Sequence, residues 1–175
     1  MATKTKIILD ADVIIHFMKA GRLSFLLTDI FPEYSFIILD VVYNEVSKLR
    51  SAKTQIDNTL RFLGKRISLI TFNPTGDSTR EYARLTSYLG RGESACMVYC
   101  RDNNDVLGSS NLRDIKKYCE ENQITYLTTI DFLYYAYIRK KMSAKECVDF
   151  IDDVIGKGSK LPEIDITTYI PEVQI

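Results

Sequence analysis

The sequence has no tryptophan, one histidine, four cysteines and four prolines in 175 residues. Each shortage removes a class of chemistry. With His16 as the sole histidine, a histidine-based triad must use that residue, and a structural zinc site would have to rely on thiolates. Cys96, Cys100, Cys119 and Cys147 fall on stretches with helical patterning and form no Cys-x-x-Cys pair. They read as small buried hydrophobes, and His16, inside the apolar run Val13 to Met18, reads as a core or boundary residue. Charge of one sign is also missing: 23 Lys and Arg balance 23 Asp and Glu, so no global field draws the chain to nucleic acid or an anionic membrane. Any polyanion site must be local. No P-loop and no Gly-x-Gly-x-x-G stands at a strand-to-helix turn, which disfavours a nucleotide-binding α/β domain. The opening MATKTK precedes an apolar stretch cut short by Asp10, which fits neither a secretory signal nor a membrane span. The expectation is a cytoplasmic protein with no membrane partner.

At this length, with 46% hydrophobic residues, one domain with a sizeable core is expected. Lys6 to Leu9 reads as a strand, with a helix over Val13 to Lys19 and a turn at Gly21. Phe36 to Leu39 repeats the pattern, and Asp40 can cap a helix through Glu45 to Leu49. A third strand is expected over 68–72, followed by a loop at 73–77. Ser78 and Glu81 have capping-box spacing before a helix that buries Tyr82, Leu85 and Leu89. Gly90-Arg91-Gly92 interrupts it, and Glu93 opens another helix to about Arg101. Val106 to Gly108 reads as a weak strand, Asn111 starts a helix, and Ile124 to Leu127 is the last strand. Helices follow near 130–140 and, from the Ser143/Glu146 box, over 144–155. The domain therefore spans 1–160, with 161–175 a loosely docked C-terminal extension. The alternation predicts a single-domain α/β fold: a parallel twisted sheet of four to five short strands with helices on both faces.

In such sheets ligands gather beyond the carboxyl ends of the strands. Asp10 ends the first strand, Glu45 lies about one turn into the helix after the second, and Glu93 follows a glycine break. Three acids from distant segments thus face one edge. Hard divalent cations such as Mg²⁺ or Mn²⁺ prefer such oxygen ligands and can activate water against a phosphodiester. Taken singly, each acid also has a plainer reading: Asp10 or Asp12 as a helix cap, Glu45 as an exposed helix residue, Glu93 as a complement to the helix dipole.

Four segments carry a family resemblance: "ILDADVIIHFMKAGRLSFLLTDIF", "IILDVVYNEV", "GRGESACMVYCRDNN" and "VLGSSNLRDIKKYCEENQITYLTTIDFLYYAYIRKKMS". Over about residues 6–160 the chain resembles the PIN-domain family, in particular the compact group related to VapC-type toxins. The resemblance implies a metal-dependent endoribonuclease in which Asp10, Glu45 and Glu93 are catalytic and hold Mg²⁺ or Mn²⁺. It also implies an RNA substrate, a cognate antitoxin and a homodimer. Asp12 stands where the family often has a small polar residue, and so reads as an additional ligand or a supporting group. The fourth motif departs from the family. Aspartates are usual there, whereas this chain has Gly108-Ser109-Ser110-Asn111. Ser110 and Asn111 read either as helix caps or as neutral groups that orient water or metal. An aspartate at position 110 is expected to raise metal affinity if that position faces the acids. Asp12, Asp105 and Asp114 are the nearby acids able to compensate, with Asp114 placed for a structural role beside Asn111. Arg91, Arg101, Lys116 and Lys117 are candidate RNA contacts, and Lys48, Arg50, Lys53, Arg61, Lys65 and Arg66 form a second basic group. Tyr134, Tyr135 and Tyr137 read as core and boundary packing. The alternative to a nuclease is a PIN-fold binding or regulatory module with impaired catalysis.

Overall fold

Ile7, Ile8 and Leu9 are all fully buried, although successive side chains on a strand point to opposite faces. A strand covered on both sides is the mark of a central position in a parallel sheet. Lys6–Leu9 (β1) takes that position in the computed structural model, which describes residues 5–175. The first four residues of the MATKTK opening, and the reading attached to them, lie outside the described residues.

From β1 the chain runs through helix α1 (Ala11–Lys19), a helical turn α2 (Leu23–Phe25) and a π-turn at Leu26–Ile30. It then forms β2 (Ser35–Leu39), α3 (Asp40–Val46), α4 (Arg50–Phe62) and β3 (Ile67–Ile70). Helices α5 (Asp77–Thr86) and α6 (Arg91–Asn103) lead to β4 (Val106–Gly108), α7 (Leu112–Asn122) and β5 (Tyr126–Leu127). Helices α8 (Thr129–Ile138) and α9 (Ala144–Gly156) complete the regular structure. The five strands are parallel and ordered β3-β2-β1-β4-β5. The chain builds outward from β1 on one side, then returns to build outward on the other. Between β1 and β4 the direction of winding reverses, and the loops leaving these strands diverge to opposite faces, opening a crevice at their carboxyl ends. The Asp10 N–H donates to the Gly108 carbonyl (2.8 Å), so the last ladder bond sits at the floor of that crevice.

Helix α6 is buried all round from Gly92 to Val98 and again at Cys100, which explains its lack of a polar stripe. All four cysteines are buried free thiols, as expected. Tyr135 is buried against Phe31, and Tyr134 and Tyr137 pack on the core edge, as expected of a packing run.

Three local expectations change. The helix after β2 is two helices: α3 stops at Val46, and Leu49, 69% exposed, adopts extended backbone before α4. Ser78 forms no capping box. Gly76, at φ +56°, leads into α5, and the Ser78 hydroxyl instead donates to Asp102. The tail is tied down rather than loose: Ile166 is buried, the Tyr169 hydroxyl donates to Asp131 (2.7 Å), and the Ile175 N–H donates to the Tyr135 hydroxyl (3.0 Å). Among the described residues no helix is long and apolar enough to cross a membrane.

Candidate functional site

Asp10 is the N-cap of α1. Its Oδ1 accepts the Ala11 N–H (2.8 Å), so the plain capping reading holds for this residue. A cap needs only one carboxylate oxygen, however, and Asp10 is 6% exposed at the crevice floor with four other acids around it. Asp10, Asp12, Glu45, Glu93 and Asp114 line one open cleft of about 240 Å³, with Gly90 and Asn111 on its rim. Asp12 comes from the first turn of α1, Glu45 from α3, Glu93 from the first turn of α6 and Asp114 from the first turn of α7. The three acids first singled out are therefore brought together, and Asp12 and Asp114 join them.

The electrostatics of the cleft follow from that crowding. Burial, and then the charge of Asp12, push the Asp10 carboxyl well above the usual carboxylate range; Glu93 and Glu45 add to this, and the Ala11 N–H opposes it. Glu93 is pushed up to about 7, by burial first and then by Asp114 and Asp12. Burial also raises Asp12, against the backbone N–H groups of Ser110 and Val13. Protons relieve the repulsion in part; a cation would relieve it more fully.

Gly92 fixes how closely the walls approach. A Cβ there would stand 2.7 Å from Glu45 Oε2, 3.3 Å from a Val42 methyl and 3.6 Å from Asp10 Oδ1. The bare backbone at 92 leaves a cradle that both carboxylates approach. Among the described residues no three acidic, histidine or cysteine side chains already stand in ligating geometry around one point. The fit of a hard divalent cation rests on this cradle and on an all-oxygen donor set.

The departed fourth motif supplies hydrogen-bond donors in place of charge. The Ser109 hydroxyl donates to Asp10 Oδ2 (3.2 Å), the Ser110 N–H donates to Asp12 Oδ2 (2.8 Å), and the Asn111 amide donates to Asp114 Oδ2 (2.7 Å). Each of the three residues steadies a different acid. The Ser110 hydroxyl faces away from the acids, toward Thr129, so an added carboxylate at 110 has no direct line to the cleft. Asp105 lies at the opposite end of the sheet, where it accepts the Lys6 N–H, and takes no part.

The basic candidates do not converge. Arg91 is exposed at the start of α6 beside the rim residue Gly90, and Lys117 lies on the outer face of α7 with Glu121 (3.8 Å). Lys116 pairs with Glu172 of the tail (2.6 Å). Arg101 pairs with Asp102 (2.7 Å), about 12 Å along the helix axis from Glu93. A larger cavity, about 400 Å³, lies away from the clustered acids, between the tail and α8.

No known family profile and no curated protein matches the chain. Solved structures do resemble it. A VapBC2 complex from Rickettsia felis bound to a promoter DNA fragment is 16% identical, with TM-score 0.48, over 71% of this chain and 98% of that one. VapBC-1 from nontypeable Haemophilus influenzae gives the same identity, coverage and score. A PilT N-terminus domain protein from Sulfolobus solfataricus P2 is 14% identical, with TM-score 0.48, over 76% of this chain and 94% of that one. The fold of the chain rests on its own strand order, β3-β2-β1-β4-β5.

Proposed function

We propose that the chain is a divalent-metal-dependent endoribonuclease of PIN type that serves as the toxin of a toxin–antitoxin pair. One observation carries the reading: five carboxylates share a cleft at the point where the sheet reverses its winding, three of them raised in proton affinity by burial, and Asp10 and Glu93 further by the charges of neighbouring acids. Such a site is unstable without positive charge. Asp10, Glu45 and Glu93 would hold Mg²⁺ or Mn²⁺, with Asp12 as a further oxygen donor. When bound, the ion supplies charge neutralisation for a phosphodiester and a more acidic water.

The chain's own groups do the positioning. Ser109 and Ala11 fix both oxygens of Asp10, and Asn111 steadies Asp114 on the opposite rim. Glu93 holds a proton near neutral pH in the metal-free protein, so cation uptake displaces it and affinity rises with pH. Arg91 at the rim and Lys117 on α7 are the candidate phosphate contacts closest to the acids. An antitoxin that inserts an arginine or lysine would satisfy the same carboxylates by charge-assisted hydrogen bonds. The chain acts in the cytoplasm, as a homodimer.

The test is incubation of labelled single-stranded RNA with Mn²⁺ or Mg²⁺, beside an Asp10→Asn control. Cleavage by the wild type alone supports the reading; cleavage that survives the substitution refutes the role of the acids. A second reading, a binding or regulatory module without catalysis, is favoured by the uncharged Ser109-Ser110-Asn111 corner. Binding of RNA without cleavage under either metal is its signature.

A further inference from the structure

The hydrogen bonds behind Asp12 continue into the core and end on the sole histidine. The Thr129 N–H donates to Ser110 Oγ (2.8 Å), and the Ser110 hydroxyl lies 2.8 Å from Thr129 Oγ1. Thr129 Oγ1 in turn lies 2.8 Å from His16 Nδ1. Each hydroxyl has one proton to give. The Ser110 hydroxyl donates to Thr129 Oγ1, and Thr129 Oγ1 and His16 Nδ1 share a hydrogen bond whose direction follows the imidazole tautomer. The bonds form one continuous run from Ser110 through Thr129 to His16. His16 is 6% exposed and Thr129 fully buried, so an unpaired group at either position would be costly. Val13, Ile14 and Phe17 around it on α1 are fully buried apolar side chains, and packing alone gives no reason for an imidazole there.

The geometry points to His16 as a positioning residue for Asp12: it fixes the Thr129 hydroxyl, which fixes Ser110, whose backbone N–H holds Asp12 Oδ2 in the cleft. Three elements are pinned at one place, namely α1 by His16, α8 by Thr129 and the loop after β4 by Ser110. The fourth corner, without a carboxylate of its own, thus holds a borrowed one in register. The functional consequence rests on the reading that the cleft takes a divalent cation, whereas the lock itself exists without it.

The experiment uses the full chain with Thr129→Val, His16→Leu and His16→Asn, the last keeping an acceptor near Nδ1. Amide exchange in the metal-free protein reads the lock directly. Thr129→Val and His16→Leu raise the Ser110 exchange rate about five- to tenfold, the worth of one net hydrogen bond, while the β1 amides stay protected. His16→Asn restores protection. Titration with Mn²⁺ then reads the consequence, as a matching loss of affinity in the first two variants and recovery in the third. Wild-type protein that takes up no Mn²⁺ refutes the cation reading and leaves the exchange result to decide the lock. Unchanged Ser110 exchange in both Thr129→Val and His16→Leu overturns the lock, whatever the metal does.

Discussion

Replacing Asp10 by asparagine should stabilise the metal-free protein while destroying its site. The amide is nearly isosteric, its oxygen can accept the Ala11 N–H, and its nitrogen can donate to the Ser109 hydroxyl, so both hydrogen bonds survive. Only the charge is lost. In the wild type that charge is opposed by burial and by Asp12, Glu93 and Glu45. The carboxyl responds by holding its proton to higher pH than an ordinary carboxylate does, against the opposing Ala11 N–H. Removing the charge should therefore stabilise the folded protein by roughly 1–3 kcal/mol at pH 7. For a chain of this length that raises Tm by about 2–12 °C. The gain has a pH signature. Asp10 is a group whose folded pKa is raised, so its penalty is absent below the unfolded carboxylate pKa and grows as pH rises above it. Melting curves of wild type and Asp10→Asn should therefore coincide near pH 4 and separate toward pH 7. Saturating Mn²⁺ should raise the wild-type Tm and leave the variant unmoved. A variant less stable than wild type at pH 7, or one still stabilised by Mn²⁺, would refute the reasoning.

Gly92→Ala places a methyl where the Glu45 carboxylate now reaches; that carboxylate is an exposed, flexible end, and the helix gains about 1 kcal/mol of propensity. Stability should stay within about 1 kcal/mol of wild type while Mn²⁺ affinity drops about tenfold, and equal affinity in a parallel titration would remove Glu45 from the site. The folded pKa of Glu93, about 7, lies above its unfolded value, so metal-free stability should fall between about pH 4.5 and pH 7. With screening at the cleft mouth the fall is roughly 1–2 kcal/mol, read by urea melts across that range. Ser110→Asp should weaken rather than strengthen Mn²⁺ binding, because it breaks the bonds to Thr129 and sets a charge facing the core; tighter binding would show that the side chain reaches the acids. Ser143→Ala removes the capping box of α9, far from the cleft, and should cost about 1 kcal/mol in denaturation with RNA cleavage unchanged.

The sequence made some of this site legible because charge and periodicity are local signals. A β-branched run ending in Asp10 names both a buried strand and its exit, and an acid after Gly90-Arg91-Gly92 marks a helix start. Parallel alternation then puts these acids at one edge. The direction of the Glu45 side chain toward Gly92 is a different matter, since it depends on how α3 packs against α6. Asp114 looked structural from its spacing to Asn111, and it does accept that amide, yet the same turn of α7 brings it to the cleft. Asn111 was legible as a cap or a neutral orienting group, whereas the Ser109 donor carried no readable signal. A neutral donor announces itself only once the acceptor's position is known, and the acceptors of Ser109 and Ser110 lie about a hundred residues away in sequence. His16 was legible as buried, but the polar network that needs it was not.

The neutral corner also bears on how a cation and protons compete for the cleft. Asp10 and Glu93 already hold protons more tightly than ordinary carboxylates because burial, and then the charges of neighbouring acids, disfavour their ionised forms. Another carboxylate at the fourth corner would raise both proton affinities further, so that at neutral pH a divalent ion would have to displace more tightly held protons. Hydrogen-bond donors from Ser109, Ser110 and Asn111 orient Asp10, Asp12 and Asp114 without adding to that repulsion. Orientation is thereby separated from charge. On this argument the loss of acids at the fourth motif need not empty the site, since Asp12 supplies a carboxylate from α1 and the loop supplies the N–H that aims it. The arrangement is stable only while Asp12 is held, which places the burden on the buried bonds from Ser110 through Thr129 to His16.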